Sequence, residues 1–593
     1  MRILLLTHAF NSLAQRLYLE LTARGHELSV ELDINDATTA QAVALFAPSL
    51  VLAPYLKRAI AEEVWSKVPC FIVHPGPPGD RGPSALDWAI LRGEPRWGVT
   101  VLQANAHFDA GPIWASAEFP MRAVRKSSLY RNEVTEAAVT AVLEAVTRLR
   151  GGGTPIDQPV NAAGMLPLMR QEQRRIDWAH DCTQVVLRKI RSADGFPGVE
   201  DELAGQRFRL FDAWPEPTLA GRPGELIARR GDAVCRATRD GAVWIGSLQP
   251  QEGTVQGFKR PALLALGEAG LALPRSEPES PAADDYSEIR YEEDGGIGFL
   301  HFEFYNGAMS TAQCERLRRA YAAARQRPTR VIVLMGGADF WSNGIHLHCI
   351  EAAASPADES WQNISAIDDL AHDILTTDSH LTVAALQGNA AAGGVFLALA
   401  ADAVHARRGV VLNPHYRNMG NLYGSEYWTY VLPRRLGVEQ IDALLQRRLP
   451  VDVDGALALN LIDGAAGPRR EAFLAHVRAV AEALAHPAGF AARLAAKRER
   501  RARDEAEKPL ARYRAEELVH MRMNFYGFDP SYHVARHRFV HRTPQAWTPL
   551  YLAGHRASQK PKKGQMNFPE PIAPDVQIDA ENSSDPFLTR RTA

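Results

Sequence analysis

The sequence predicts a multidomain α/β protein with a small β domain between two larger α/β domains. Three observations support this fold class. The 593 residues exceed what one hydrophobic core usually holds, and an apolar content of 46% can fill several cores. In two separate stretches, short apolar runs alternate with helical patterns, which is typical of parallel sheets covered by helices. Between these stretches, short β-like runs are separated by glycine and proline.

The first domain is expected to span residues 1–165 as a parallel sheet with helices on both faces. Its pattern predicts a first helix over residues 13–24 and strands over residues 3–6, 28–31, 50–53 and 70–74. The opening apolar run is too short for a secretory signal peptide and is better explained as a buried strand. Since ligands of such sheets bind at the carboxyl ends of the strands, we expect a site directly after residue 74.

Residues 166–273 are predicted to form a small OB-like β-barrel, because short β-like runs recur there. These runs cover residues 207–211, 224–228, 233–237 and 243–245. Residues 274–287 are rich in Pro, Ser, Glu and Ala and are expected to be a linker.

A second α/β domain is predicted over residues 288–470. Its expected elements are strands over residues 298–302, 330–335 and 381–386 and an apolar helix over residues 395–401. Helices rich in Arg, Ala and Glu are expected within residues 471–560. The polar, proline-punctuated residues 561–593 are expected to form an extended tail.

Composition argues against two classes of function. A formal net charge of −2 leaves no basic field that would hold nucleic acid by counterion release. No stretch reaches the roughly 18 unbroken apolar residues of a membrane-spanning helix, so we expect no membrane insertion. The five cysteines are scattered and odd in number, as for free thiols in a reducing compartment. These features predict a cytoplasmic protein that acts on small molecules.

A polar cluster is predicted at the carboxyl end of the fourth strand of the first domain. His74 ends this strand, and the residues after it, from Pro75-Gly76 to Arg81-Gly82-Pro83, must form a loop. A carboxylate follows in the segment Asp109-Ala110-Gly111. A histidine and a carboxylate suit formyl transfer, which requires stabilisation of an oxyanion and management of protons.

These motifs resemble the N10-formyltetrahydrofolate-dependent formyltransferases over roughly the first 270 residues. The resemblance implies a Rossmann-like domain in which His74 and Asp109 are catalytic. It also implies that Pro75 and Gly76 bind the folate carrier, N10-formyltetrahydrofolate.

One position departs from that family, and two other residues are weaker candidates. Ile72 stands where the family carries an asparagine two residues before the histidine. Loss of such an oxyanion donor typically costs about a hundredfold or more in rate, so either another residue substitutes or the acceptor differs. Gln15 and Arg131 are further candidates for contact with folate, with ordinary surface roles as the alternative.

Two glycine turns mark the second α/β domain. The predicted strand over residues 330–335 runs into the turn that contains Asn343-Gly344-Ile345. About fifty residues later a second turn, Ala392-Gly393-Gly394, opens the helix that leads to Asp402. Backbone amides of such turns can point at one ligand oxygen. This arrangement resembles the crotonase superfamily of enoyl-CoA hydratases and isomerases over about residues 289–461.

The resemblance implies an acyl-CoA site in this domain. The backbone amides of Ile345 and Gly393 would form an oxyanion hole for a thioester carbonyl. Asn306, Gly307 and Ala308 follow the first strand of the domain, where this superfamily places part of coenzyme A.

The two glutamates that hydratases use for water addition are missing, because their positions hold Phe396 and Tyr416. Without a carboxylate base at those positions, hydration and double-bond migration are not expected. Tyr416 and Glu426 are the ionisable groups expected near the acyl pocket. A phenol can donate to a developing oxyanion, and a buried glutamate can shuttle a proton. The alternative is that Tyr416 serves packing and Glu426 pairs with an arginine.

The segment His346-Leu347-His348-Cys349 contains three residue types that bind metals. No second ligand cluster accompanies it in the sequence, so we predict no metal site.

Together the two halves predict a formyl transfer to the thiol of coenzyme A. Formyl-CoA has no α-carbon for enolate chemistry, so the remaining reaction is its breakdown to carbon monoxide and CoA. The domain order, the stretch at residues 79–88 and Gly424-Ser425-Glu426-Tyr427-Trp428 are similar to a family of nickel-iron hydrogenase maturation factors. That resemblance implies supply of the CO ligand and, as partners, a hydrogenase precursor or other maturation proteins.

Two alternatives stay open from the sequence. One is a formyltransferase that acts on an amine and carries a separate acyl-CoA hydrolase or decarboxylase half. The other is a non-catalytic chaperone that binds a hydrogenase precursor through degenerate enzyme folds.

Overall fold

The computed structural model describes residues 1–158, 165–252, 255–276 and 285–557. The amino-terminal domain contains one mixed sheet and its surrounding helices. The strands are β1 (Arg2–Thr7), β2 (Glu27–Leu32), β3 (Leu50–Tyr55), β4 (Cys70–His74), β5 (Arg96–Gln103) and β6 (Ile113–Pro120). The helices are α1 (Ser12–Ala23), α2 (Asp36–Phe46), α3 (Glu62–Trp65), α4 (Ala85–Arg92), α5 (Lys126–Leu129) and α6 (Thr135–Arg150), with a π-helical turn at Tyr130–Val134 before α6.

The strand order of this sheet is β2-β1-β3-β4-β5-β6. The first four strands are parallel, as predicted. The strands β5 and β6 were not among the predicted strands, and the two pairs that they add, β4 with β5 and β5 with β6, are antiparallel. For β5 and β6 the short connection explains the orientation, since residues 104–112 are too few for the crossover that a parallel pair needs.

Burial explains why β1 is a continuous apolar run. Ile3, Leu4 and Leu5 are all fully buried, so residues that point to opposite faces of the strand are equally covered. Strands covered by helices on both faces carry such runs instead of an alternating pattern. The continuous apolar run is therefore the sequence feature that makes β1 a core strand.

The middle domain is an antiparallel β domain with short helices. Its helices are α7 (Gln171–Arg174), α8 (Thr183–Ala193), α9 (Ala262–Leu266) and α10 (Glu268–Leu271). Its strands are β7 (Val199–Leu203), β8 (Gln206–Glu216), β9 (Leu226–Arg230), β10 (Ala233–Ala237), β11 (Ala242–Glu252), β12 (Val255–Gln256) and β13 (Arg260–Pro261). The main order is β7-β8-β11-β10-β9, and β12 and β13 both pair with β11. The helix α8 packs on β8 and β11 and closes this core.

The carboxy-terminal half contains a six-stranded and a three-stranded sheet. Its strands are β14 (Ile289–Asp294), β15 (Ile297–Phe302), β16 (Val331–Leu334), β17 (Phe340–Ser342), β18 (Leu381–Leu386), β19 (Asn389–Ala391), β20 (Ala403–Arg407), β21 (Leu412–Asn413) and β22 (Gly464–Ala466). The orders are β14-β15-β16-β18-β20-β22 and β17-β19-β21. In the larger sheet only the pair β14 and β15 is antiparallel, whereas all other neighbours are parallel.

The helices of this half cover the two sheets, except the last one, which packs on the first domain. They are α11 (Thr311–Ala324), α12 (Leu347–Ala352), α13 (Pro356–Leu375), α14 (Gly393–Leu399), α15 (Trp428–Val431), α16 (Val438–Arg447), α17 (Val453–Ala458), α18 (Arg470–Ala485), α19 (Pro487–Glu507), α20 (Leu510–Tyr526), α21 (Ser531–Val540) and α22 (Gly554–Ala557). The helix α18 packs on the six-stranded sheet, and α20 packs on α13 and α15. A 3₁₀ turn at Tyr305–Gly307 follows β15.

The end of the described chain returns to the first domain. The amide of Val30 in β2 donates to the carbonyl of Leu552 at 3.0 Å. His555 of α22 contacts Ser29 Oγ at 2.6 Å and Glu31 Oε2 at 2.9 Å, and all three side chains are buried. The predicted tail at residues 561–593 and most of the predicted linker lie outside the described residues.

Two further sequence predictions concern the membrane and the cysteines. None of the helices in the described ranges combines the length and the apolarity that a bilayer span requires. All five cysteines are free thiols. Burial raises the pKa of the Cys70 thiol to about 12, which leaves this sulfur a weak nucleophile near neutral pH.

Candidate active site

His74 lies at the carboxyl end of β4 between two carboxylates. Its Nε2 atom is 2.8 Å from Asp80 Oδ2, and its Nδ1 atom is 3.7 Å from Asp109 Oδ2. All three side chains are buried. The backbone amide of Gly82 donates to Asp109 Oδ2 at 3.2 Å. The structure thus brings together the predicted pair His74 and Asp109 and adds Asp80, which the sequence analysis had treated only as part of the loop.

The loop after His74 is fixed by strand β5. Trp97 Nε1 donates to the carbonyl of Pro75 at 2.8 Å, and Thr100 Oγ1 donates to the carbonyl of Gly76 at 2.8 Å. A Cβ atom at residue 76 would lie 2.6 Å from His74 Nε2, closer than real Cβ contacts. Gly76 is therefore required for the loop to fold back over the histidine ring. Both predicted folate-binding loop residues border the His74 cluster.

Ile72 occupies the position of the missing asparagine, in β4 two residues before His74. It is partly buried and packs on an apolar cluster behind the sheet. Its side chain has no donor for an oxyanion, so the departure seen in the sequence is also a departure in the chemistry of the site.

Gln15 and Arg131 lie at the junction of the two halves. The side-chain Nδ2 atom of Asn413 donates to Gln15 Oε1 at 3.0 Å. Asn413 ends β21, only three residues before Tyr416. The guanidinium of Arg131 donates to Asn306 Oδ1 at 3.0 Å. These two candidates from the first half therefore touch the second half directly.

The turn at Asn306, Gly307 and Ala308 lies against the first glycine turn of the second half. The amide of Asn343 donates to the carbonyl of Gly307 at 2.7 Å, and Asn343 Nδ2 donates to the carbonyl of Asn306 at 2.8 Å. Just beyond, Met309 forms an isolated parallel bridge with Ile345. The predicted CoA turn and the predicted oxyanion turn are thus joined by backbone hydrogen bonds.

Gly393 is the first residue of α14, and the two glycine turns meet here. A Cβ atom added to Gly344 would lie 3.4 Å from the amide nitrogen of Gly393, which shows how near the turns lie. The first amides of a helix have no intrahelical acceptor. The N-cap residue is Ala392, whose side chain offers none either. The Gly393 amide is therefore suited to a ligand oxygen.

Tyr416 and Glu426 form a buried pair beside this amide. The Tyr416 hydroxyl makes a short hydrogen bond with Glu426 Oε2 and lies 2.9 Å from the carbonyl of Ser425. The Tyr416 ring stacks on Phe396 of α14 with ring centres 5.0 Å apart. A Cβ atom on Gly393 would lie 2.5 Å from the carboxyl carbon of Glu426. The pair therefore borders the start of α14.

One oxygen of Glu426 has no partner among the described residues. The side chain is 1% exposed, yet Oε1 receives no hydrogen bond. Buried carboxylate oxygens are normally hydrogen-bonded, and exceptions often mark catalytic sites. The pKa of Glu426 is raised to about 8, mainly by burial and secondly by the neighbouring Asp368 carboxylate. This geometry excludes the alternative in which Glu426 is simply paired with an arginine.

Two carboxylates that the sequence analysis missed stand behind Glu426. Asp368 of α13 accepts the Glu426 amide at 2.8 Å, and Glu517 of α20 accepts the Tyr427 amide at 3.0 Å. Both side chains are fully buried. Burial raises the pKa of Asp368 to about 6 and that of Glu517 to about 8.

The histidines that follow Ile345 are engaged within the protein. His346 caps α12 by accepting the amide of Cys349 at 3.2 Å, and His348 Nδ1 lies 3.1 Å from the carbonyl of Lys259. Burial lowers the pKa of His346 to about 4 and that of His348 to about 3, so both rings are neutral.

A different group of side chains could hold a metal by geometry alone. Within the described ranges, one ligand atom each from Glu351, His537 and His541 come within 4.8 Å of one another. The carboxylate of Glu351 is already paired with Arg536 at 2.6 Å. This group joins α12 to the end of α21 and does not border the Tyr416 and Glu426 pair.

A cavity of about 180 Å³ lies between the β domain, α12 and the end of α21. Lys259 and Arg542 both line it, and both donate to the carbonyl of Gly195, at 3.0 and 3.4 Å. Burial lowers the pKa of Lys259 to about 7. An anionic ligand would restore the charge of this lysine, so the cavity suits phosphate groups.

Comparison with known families divides the chain in the same way as the fold. A Formyl transferase model matches residues 24–146, a Formyl transferase C-terminal domain model matches residues 168–260, and an Enoyl-CoA hydratase/isomerase model matches residues 300–548. A methionyl-tRNA formyltransferase from Dechloromonas aromatica is 28% identical over 254 residues, which cover 41% of this chain and 80% of that protein.

Two relatives match nearly the whole chain. The hydrogenase maturation factor HoxX of Bradyrhizobium diazoefficiens is 55% identical over 95% of this chain and 98% of its own length. The crystal structure of HypX from Aquifex aeolicus in complex with tetrahydrofolic acid has a TM-score of 0.90 and 50% identity, and covers 94% of this chain and 99% of that one. These matches confirm the family and the fold that the sequence predicts. The chain belongs to the HoxX/HypX family of hydrogenase maturation factors.

Proposed function

We propose that this protein makes carbon monoxide from a folate-bound formyl group in two steps. The first half transfers formyl from N10-formyltetrahydrofolate to the thiol of coenzyme A. The second half breaks formyl-CoA into carbon monoxide and CoA. The product would serve as the CO ligand of a nickel-iron hydrogenase centre, with a hydrogenase precursor or other maturation proteins as partners.

The first step is supported by the His74 cluster. In this reaction the thiol sulfur attacks the formyl carbon, the bond from carbon to the folate nitrogen breaks, and the thiol proton ends on that nitrogen. The imidazole of His74 faces Asp80 on one side and Asp109 on the other, at 2.8 and 3.7 Å. Such a trio suits stabilisation of the tetrahedral carbon and movement of the proton. The tetrahydrofolic acid bound by the HypX of Aquifex aeolicus supports folate as the carrier.

The second step is supported most by the unpartnered Oε1 atom of Glu426. This buried oxygen borders the Gly393 residue whose amide is expected to bind a thioester carbonyl. As a carboxylate, Glu426 takes the formyl hydrogen as a proton, and the electron pair of that bond stays on carbon. The bond from carbon to sulfur breaks, and its electrons leave with the thiolate. The proton then passes from Glu426 to sulfur, so that CO and the CoA thiol form without net proton change.

Tyr416 would assist by holding Glu426 in place and by sharing its proton. The missing hydratase glutamates agree with this reaction, because Phe396 fills one of those positions and stacks on Tyr416. An apolar wall keeps water away from the thioester and favours loss of CO over hydrolysis to formate.

Coenzyme A is proposed to enter through the cavity lined by Lys259 and Arg542. These cations would pair with its phosphates, and the pantetheine arm would run along the turn at Asn306, Gly307 and Ala308. Gln15 and Arg131, expected from the sequence to contact folate, lie at the junction of the halves, which supports them as ligand contacts on the route of the thiol.

The test is to supply purified protein with N10-formyltetrahydrofolate, with and without CoA, and to follow CO with a haem reporter. We expect CO only when CoA is present. The variants Tyr416→Phe and Glu426→Gln should lower CO yield by a factor of about a hundred or more while CoA binding is retained. Release of tetrahydrofolate without CO on addition of an amine would favour an amine formyltransferase. Absence of saturable CoA binding would favour a non-catalytic chaperone.

A further inference from the structure

Three buried carboxyl groups from three elements meet beside Tyr416, and one of them is Glu426 itself. Asp368 comes from α13, Glu517 from α20, and Glu426 from the segment before α15, and each side chain is at most 1% exposed. Ser425 lies between them, with its Oγ atom 2.8 Å from Asp368 Oδ2 and 3.2 Å from Glu517 Oε2. The carboxyl groups are therefore joined by hydrogen bonds to one serine and its neighbours.

The three carboxyl groups cannot all be ionised if both contacts of the Ser425 hydroxyl are hydrogen bonds. The hydroxyl of Ser425 has one proton and can donate to only one of the two carboxylates. For the other contact to be a hydrogen bond, Asp368 or Glu517 must itself donate to the serine oxygen. At least one of these two carboxyl groups must then hold a proton.

The number of protons also limits the charge state of Tyr416 and Glu426. The Tyr416 hydroxyl contacts both the carbonyl of Ser425 and Glu426 Oε2. A carbonyl oxygen only accepts, so when the phenol donates to it, Glu426 must be protonated to complete the second bond. When the phenol donates to Glu426 instead, the carboxylate can be ionised and also accepts the Ser425 amide at 3.2 Å. Both states of Glu426 are therefore compatible with the same atomic positions.

Charge balance limits how many protons the cluster can lose. Among the described residues the nearest cation is Arg514 of α20, whose Nε atom lies 3.7 Å from Asp368 Oδ2 and whose Nη1 atom pairs more closely with Asp369, at 2.6 Å. The other groups that face Glu426 are the Tyr416 phenol and the Cys314 thiol of α11, and burial raises the pKa of both. One arginine cannot offset three buried carboxylates, and an uncompensated buried charge is costly. Ionisation of one carboxyl group therefore opposes ionisation of the others.

We propose that Asp368 and Glu517, bridged by Ser425, are positioning residues that set the charge of Glu426 by sharing protons with it. This role rests on the proposed function of Glu426 and deepens it. When Asp368 and Glu517 are protonated, Glu426 can stand as the carboxylate that accepts the formyl proton. When either of them ionises, its negative charge opposes the ionisation of Glu426, which then keeps its proton up to a higher pH.

The first test is the pH dependence of CO release in Asp368→Asn and Glu517→Gln, which keep side-chain volume but remove a charge. In the pH profile of CO release, one change in rate is assigned to the ionisation of Glu426. We expect its midpoint to move toward lower pH by about one unit, because a nearby negative charge has been removed. The matched control is Glu516→Gln on the solvent side of the same helix, with an unmoved midpoint. Loss of activity with no movement of the midpoint would overturn the proposal and indicate a structural role only.

The second test does not depend on catalysis. Infrared difference spectra of the ligand-free protein follow protonated carboxyl groups as pH is raised. The band of the Glu426 carboxyl group is the one that is missing in Glu426→Gln. We expect this band to titrate at a different pH in Asp368→Asn. If each substitution removes one band and leaves the other midpoints in place, the carboxyl groups do not share protons and the proposal fails. Shared titration without CO release would keep this proposal and overturn the proposed function instead.

Discussion

Gly393→Ala adds one methyl group where Glu426 touches the start of α14. A Cβ atom at this position would lie 2.5 Å from the carboxyl carbon of Glu426. Ordinary carbon–carbon contacts are about 3.5 Å or longer, so the carboxyl group must move by about 1 Å. The movement is resisted because Tyr416 and the Ser425 amide hold Oε2. The substitution therefore displaces the proposed base without removing it.

A displacement of about 1 Å in a reacting group can cost about a hundredfold in rate. We expect CO release to fall by that factor, and overpacking to lower the free energy of unfolding by about 1 to 3 kcal/mol. The assay follows CO with a haem reporter while tetrahydrofolate release and urea unfolding are measured in parallel. Gly467→Ala is the control, since no atom lies within 4 Å of its added Cβ. Undiminished CO release from a folded Gly393→Ala variant would refute the placement of Glu426 at the reaction centre.

Three further predictions concern other parts of the molecule. Asp109→Asn should lower tetrahydrofolate release by about a hundredfold or more, because the carboxylate beside His74 is lost, and a single-turnover assay with wild-type rates would exclude this role. Lys259→Gln and Arg542→Gln should each weaken CoA binding and reduce its salt dependence. Calorimetry at two ionic strengths measures the affinity and its salt dependence. Unchanged affinity in the two variants would show that the cavity is not part of the CoA site. The folded-state pKa of Glu517 is raised from 4.5 to about 8, so the folded protein holds a proton that the unfolded chain releases in this window. The free energy of unfolding should therefore fall as pH rises through this window, and it should fall less in Glu517→Gln. Urea midpoints of both proteins at about pH 6 and about pH 9 test this prediction. Equal losses in both proteins would contradict it.

Much of the fold follows from local pattern. The run at residues 70–74 predicts β4, and those at residues 233–237 and 381–386 predict β10 and β18, with the bounds that the structure has. Each is a compact apolar or β-branched run between turn residues, so the local signal and the burial agree. The strands β5 and β6 were not predicted, and a strand pattern would not have given their antiparallel orientation, which depends on the edge of the sheet that the chain reaches.

The part of the site that lies in recognisable sequence motifs could be predicted. Tyr416 and Glu426 were expected near one pocket, and the structure brings them into direct contact. Asp80 was missed because a loop aspartate has no periodic signature.

The carboxyl groups behind the pair did leave a signal in the sequence. Asp368 comes four residues after Ile364, and Glu517 comes seven after Leu510 and four before Met521, which places both acids on apolar helix faces. An acid at such a position is unusual unless it has a buried partner, so both positions could have been singled out.

The central claim is that one polypeptide converts a folate-bound formyl group to carbon monoxide through a CoA thioester. The most direct measurement uses N10-formyltetrahydrofolate with an isotopically labelled formyl carbon, the purified protein and CoA. We predict labelled CO in amounts equal to the tetrahydrofolate released, and none when CoA is omitted. Labelled formate in place of CO, or labelled CO that forms equally well without CoA, would contradict the account.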